Sequence, residues 1–225
     1  MHSEATVNER AFAEGLSFYK MTWVFITGSI IGTYYEQILT LFKLGVWENR
    51  SAVFLGPFNP LYGAAFVLVV YLLYRIDSFV IAVFVGAIFG GSFEYMANLA
   101  QEFFTGSVSW DYSNLPLNIH GRTTIHYALF WGLIAAVMVK YVYPFVSTFI
   151  ENMSPRMGTA LTKTLIVFLS INMFITYSAL IRQGLRHRGV DAFTPIGEVY
   201  DQVFTDNYIQ EKFPNMHLIV DDTNE

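Results

Sequence analysis

The 225-residue chain contains no cysteine. Disulfides, thiolate metal sites and iron–sulfur clusters are thereby excluded, so any metal would have to be held by Glu, Asp or His, and neither a metal nor a cofactor is expected. Charge is scarce as well: Asp, Glu, Lys and Arg make up 14% of the residues against 54% apolar ones, and the mean hydropathy is +0.41. That balance excludes an ordinary soluble domain. The chain has no G-x-x-x-x-G-K-[ST] loop, no H-E-x-x-H and no G-x-S-x-G, which excludes nucleotide hydrolysis by this chain itself and the familiar hydrolase centres. With a net charge of −5 and scattered arginines, no nucleic-acid partner is expected. The start, MHSEATVNER, lacks a basic n-region, so the first hydrophobic segment is expected to be retained as a helix.

What the chain does have is hydrophobic length. Apolar runs at about 21–44, 60–74, 79–103, 123–143 and 159–181 predict an all-α polytopic membrane helix bundle of about five transmembrane helices. The expected organisation is a transmembrane bundle with an interfacial N-terminal segment over 1–181 and a polar tail over 182–225. Asn59-Pro60 is a good helix start, with Asn as cap and Pro at the first helical position. In the tail, apolar residues from Ile196 to Phe213 recur with helical period behind Thr194-Pro195, predicting one amphipathic helix with an acidic polar face.

An odd number of spans puts loops 45–59 and 104–122 on the same side as the tail. Lys and Arg number seven on that side, counting Arg182, Arg186 and Arg188, and six on the other, counting Arg10. The balance does not orient the protein in a cell membrane. The cluster Arg182, Arg186, His187, Arg188 just past the last span favours a cytoplasmic tail, through attraction to anionic lipid.

Two segments share the pattern G-x-I-x-G-x-x-x-E: Gly28 to Glu36 and Gly86 to Glu94. Their offset of 58 recurs nearly unchanged downstream, where Pro57, Asn59 and Gly63 are echoed by Pro116, Asn118 and Gly121. A tandem duplication of a helical hairpin, the first two helices repeated as the third and fourth, is expected. Carboxylates in hydrocarbon are costly, so Glu36 and Glu94 are the leading site candidates. Residues four apart share a helix stripe, and small residues on it permit close approach. Helices 1 and 3 are therefore expected to cross along their glycines and bring the two acids together.

The loops on the tail side add Asn49, Arg50, Trp110, Asp111, Tyr112, Asn118, Arg122 and His126 to the candidate site, with Glu102 on the stripe of Glu94. The two arginines are read either as salt-bridge partners of the glutamates or as holders of an anionic group. His126 is a proton carrier, metal ligand or plain hydrogen-bonding residue. Asp111 and Asn118 suit loop turns. Trp110, Tyr112 and Tyr62 are read as anchors at headgroup level.

The segments GPFNPLYG (56–63), Glu94-Tyr95 with Glu102, WDYS (110–113), the run from Pro116 to Arg122 and FPNM (213–216) together resemble the bacterial ABC-transporter permease family of the CmpB type. The resemblance implies a multi-spanning permease-like subunit working with a separate ATPase. Three readings stay open: a transport component in which Glu36 and Glu94 bind a proton or cation, a membrane-embedded enzyme acting on a lipid or isoprenoid, and a structural or regulatory subunit. Five spans are few for a complete transporter, so a homo-oligomer or another membrane subunit is an expected partner, besides membrane lipid.

Overall fold

The computed structural model describes residues 12–219. Arg10 and most of the interfacial N-terminal segment lie outside these residues. The described chain is all-α apart from four two-residue strands. Its helices are α1 (Phe18–Leu44), α2 (Pro60–Leu73), α3 (Phe79–Thr105), α4 (Ile125–Val137), α5 (Tyr143–Glu151), α6 (Pro155–His187), α7 (Pro195–Val203) and α8 (Asp206–Lys212). Three helical stretches, 79–105, 125–151 and 155–187, are long and apolar enough to cross a membrane. The fourth predicted span runs on past 143 to Glu151, through a π-helical turn at Met138–Val142. Pro144 follows that turn and has no N–H to offer the carbonyl of Lys140, so the ladder is locally rearranged there.

Local sequence fixes the helix ends. Ser17 and Ser78 cap α1 and α3 by accepting from the N–H of Lys20 and Ile81, and Gly45 and Gly106 close them at φ 72° and 66°. Glycine reaches that left-handed conformation without a Cβ clash.

The expected crossing of helices 1 and 3 is not how the bundle packs. The two principal interfaces are α1 with α2 and α3 with α4. Each glycine stripe serves its own neighbour. A Cβ on Gly28 would lie 2.8 Å from Cβ of Phe66, and one on Gly63 would lie 2.6 Å from the carbonyl oxygen of Phe25. In the other pair, a Cβ on Gly86 would lie 2.9 Å from Cβ of Ala135, and one on Gly132 would lie 2.7 Å from the amide nitrogen of Ala87. Antiparallel neighbours joined by one loop meet along their whole shared length, so the small residues act there first. Gly121, the sequence echo of Gly63, sits in a turn at φ 69° and not in a helix.

The 14-residue α2 is about 21 Å long at 1.5 Å per residue, short of the roughly 30 Å hydrocarbon core. The loop before it folds partly into the bundle. Val53, Phe54 and Phe58 are buried. The N–H of Leu55 donates to Asn172 Oδ1 at 3.2 Å, and Asn172 Nδ2 donates to the Leu55 carbonyl at 2.7 Å. Thr176 Oγ1 accepts from the N–H of Phe54 at 3.1 Å. Asn172 stands at the middle of α6, and the N–H of Asn59 donates to the Ser29 carbonyl near the middle of α1 at 3.1 Å. Irregular backbone is tolerated at such depth only when protein groups satisfy it, as these do.

The tail contains two helices where one was predicted. The break falls at Phe204, and Thr205 caps α8 by accepting from the N–H of Tyr208. Arg182 binds both carboxylate oxygens of Asp201 at 2.9 and 2.7 Å, and Arg186 reaches Asp201 at 2.6 Å and Asp206 at 2.5 Å. Two arginines of the cluster read as a lipid-attracting patch are thus engaged by the tail's own acids. Phe54, Ile209, Phe213 and Met216 form an apolar cluster beneath, and β1 (Ser107–Val108) pairs antiparallel with β4 (His217–Leu218). A second hairpin joins β2 (Asn118–Ile119) to β3 (Thr123–Thr124).

Candidate functional site

Because α1 and α3 each pack on their own partner, a chamber of about 980 Å³ remains beside them. Its wall is mainly apolar, drawn from α1, α2, α3, α4, α6, loop 45–59, the loop before α4, and Phe213, Asn215 and Met216 of the tail. Ile31, Phe89, Phe104 and Phe130 belong to this wall and are exposed, so part of the chamber's rim is apolar and open between the helices. Glu36 and Glu94 are the only acidic side chains lining it among the described residues.

Each acid is held by hydroxyl donors. Tyr62, in the first turn of α2, donates its hydroxyl to Glu36 Oε1. Glu94, 7% exposed, accepts from Thr123 Oγ1 at 2.6 Å and from the Tyr112 hydroxyl at 3.0 Å. The Tyr112 ring stacks on Tyr127 with centroids 4.6 Å apart. Burial, reinforced by the charge of Glu94 and more weakly by that of Glu36, pushes the Tyr112 phenol far above its ordinary range, so it stays a donor. Tyr62 and Tyr112, read from sequence as headgroup anchors, are instead the partners of the two acids. The Trp131 indole also faces Glu94, outside hydrogen-bonding geometry, which leaves its buried Nε1–H without a partner among the described residues.

The remaining candidates divide. Arg50 lines the chamber, but pairs with Glu48 at 2.5 Å and donates from Nε to Thr40 at 3.0 Å. Trp110 lines it too, with its indole N–H on the Arg122 carbonyl at 2.9 Å. Arg122 lies off the chamber, paired with Glu102 and bonded to Asn98 Oδ1 at 2.6 Å. Asn49 ties the loop to the tail through the Lys212 carbonyl at 2.7 Å. Asp111 and Asn118 brace the loop: Asp111 accepts from the Ser113 N–H and hydroxyl, which hold its carboxyl below the ordinary range, and Asn118 bonds Ser113, Leu115 and Gly121. His126 is exposed and away from the chamber wall.

Sequence reasoning missed Tyr35, Tyr127 and Trp131 in the wall, together with the acceptor role that Glu94 plays for Thr123. None of the three is marked by a motif in the sequence.

Residues 23–177, which carry both glutamates, both arginines and most of the chamber, match the family model described as "Putative ABC-transporter type IV". The chain belongs to this family. Membership and the apolar helices together make it a membrane protein of ABC-transporter type. The chain matches no curated protein and no solved structure.

Proposed function

We propose that the chain is the permease subunit of a transporter in the cell membrane, energised by a separate ATPase, and that it holds substrate in the chamber between Glu36 and Glu94. The observation that carries this is the convergence of the two acids, one from α1 and one from α3, on one chamber. In this reading α1 and α2 add two membrane passes to the three stretches of sufficient length, and the tail faces the cytoplasm. The helix pairs are duplicates of each other. Gly28 meets Phe66 as Gly86 meets Ala135, and Gly90 meets Trp131 as Gly32 meets Tyr62, with offsets of 58 along the first helix and 69 along the second. Residues Tyr62 and Trp131 are then equivalent, and their contact lies on the axis relating the repeats. Transporter sites commonly lie at such repeat interfaces, beside helices that begin part-way through the membrane, as α2 does.

Tagged protein extracted from native membranes and reconstituted with whatever copurifies tests the reading. An ATPase is expected to copurify, and ATP-driven flux to fall at least tenfold in Glu36→Gln and Glu94→Gln. Absence of both a copurifying ATPase and any solute movement under any imposed gradient would falsify it.

The lateral opening favours one second reading, an enzyme acting on a lipid. That reading needs an acid–base pair, and His126 does not reach the chamber wall to supply the second member.

A further inference from the structure

We infer that the chamber takes an amphipathic organic cation, a protonated amine or quaternary ammonium on an apolar body, entering from the lipid. This rests on the reading of the chamber as a substrate site and concerns which class of molecule it accepts. The volume of about 980 Å³ stands at the upper end of the roughly 300–1,000 Å³ range of small-molecule sites. The mainly apolar wall and its lateral mouth suit an apolar body.

Charge selects the sign. Most of the groups that would serve an anion are already engaged, the exceptions in the wall being Lys43 and the Trp131 indole N–H. Arg50 is paired with Glu48, and Arg122 is paired with Glu102 away from the wall. The two helix starts beside the chamber are capped: Asn59 Oδ1 accepts from the N–H of Leu61, and Thr124 Oγ1 from that of Tyr127. Lys43 lines the chamber at the exposed end of α1, two turns from Glu36. The other charged groups of the wall are Arg50, neutralised by Glu48, and the carboxyl groups of Glu36 and Glu94. Glu36 takes its one protein hydrogen bond on Oε1, leaving Oε2 for a ligand. Tyr35, Tyr62, Trp110, Tyr112, Tyr127 and Trp131 surround the acids in the same wall. Aromatic faces attract organic cations, most strongly where water is excluded.

Two probes of matched size and opposite charge decide the matter: tetraphenylphosphonium and tetraphenylborate, measured by equilibrium dialysis against purified protein with empty micelles subtracted. The cation is expected to bind at least tenfold more tightly than the anion, and Glu36→Gln to weaken it about tenfold, the loss of one ion–ion attraction in a partly desolvated site. Equal binding, or preference for the anion, overturns the assignment of substrate class while leaving the chamber as a binding site. Binding of neither probe overturns the assignment together with the reading on which it rests. The comparison of probes uses wild-type protein, so it stands even if the variant does not fold.

Discussion

The ring of Tyr62 meets the ring of Trp131 with centroids 6.1 Å apart, joining the pair α1–α2 to the pair α3–α4. Each residue also faces a glutamate across its own helix pair, Tyr62 through a hydrogen bond to Glu36 and Trp131 through the nearby carboxyl of Glu94. A change at one acid therefore has a short path to the other, through two packed rings.

Tyr62→Phe removes the hydroxyl that satisfies Glu36 and keeps the ring. The expected cost is about 1–3 kcal/mol, the penalty for leaving a buried acceptor without its partner. Thr123→Val should do the same to Glu94. Both are read as lowered melting temperatures in detergent, and an unchanged melting temperature in Tyr62→Phe would mean that water or another group satisfies Glu36.

Gly63→Ala and Gly132→Ala each push a methyl group into the neighbouring helix backbone, at Phe25 O and Ala87 N. Overpacking of this kind costs about 1–3 kcal/mol, and backbone gives less readily than a side chain end. Matched losses are expected in the two variants if the helix pairs are duplicates. A large loss in one and none in the other would count against equivalence.

Asn172 pins the loop before α2, since its single amide satisfies both backbone groups of Leu55, whose side chain stays exposed. Asn172→Leu keeps the volume and abandons both, so a loss of roughly 2–4 kcal/mol is expected from two orphaned polar groups. Hydrogen exchange at residues 51–58 should rise in parallel. Unchanged exchange would show that the loop is held by Phe54 and Phe58 packing alone.

The sequence showed the helices well because apolar length and capping chemistry are local: Asn59-Pro60 and Thr194-Pro195 start helices as expected. It showed the two acids for the same reason, as costly residues in apolar runs. It did not show their partners. Tyr62 looks like any tyrosine near a helix end until loop 45–59 is known to fold inward, which moves the start of α2 from the surface to the level of Ser29. The assignment of Arg50 and Arg122 failed to resolve because their partners are nearer acids: Glu48, which no pattern marks, and Glu102, which the stripe of Glu94 marked as a site residue and not as a partner of Arg122.

Docking of the tail should depend on pH. The Arg182 guanidinium beside Asp201 holds its carboxyl below the ordinary range, with Arg186 adding to this and burial opposing it. A carboxyl with a depressed folded pKa contributes stability that is present above the unfolded value, ordinarily about 3.9, and is lost as pH falls through the folded value. Residues 195–218 are thus expected to become protease-sensitive only below about pH 4. Asp201→Asn should bring that sensitivity to neutral pH, at a cost of roughly 1–2 kcal/mol after allowing for solvent screening. Equal protection of the variant and the wild type at neutral pH would assign docking to the apolar cluster around Ile209.

Absence of cysteine makes the lateral opening directly measurable, because any introduced thiol is unique. Ile31 and Phe89 line the chamber from α1 and α3 and are 37% and 42% exposed. Both sites face hydrocarbon if the mouth opens to lipid. A spin label on Ile31→Cys or Phe89→Cys should then collide more often with dissolved oxygen, which concentrates in the bilayer, than with a water-soluble nickel chelate. Phe193→Cys, in the strongly exposed turn before α7, should show the reverse. If Ile31→Cys and Phe89→Cys instead favour the chelate, the mouth is filled with water, substrate arrives from solution, and the apolar wall is left to select by shape and not by partition from the membrane.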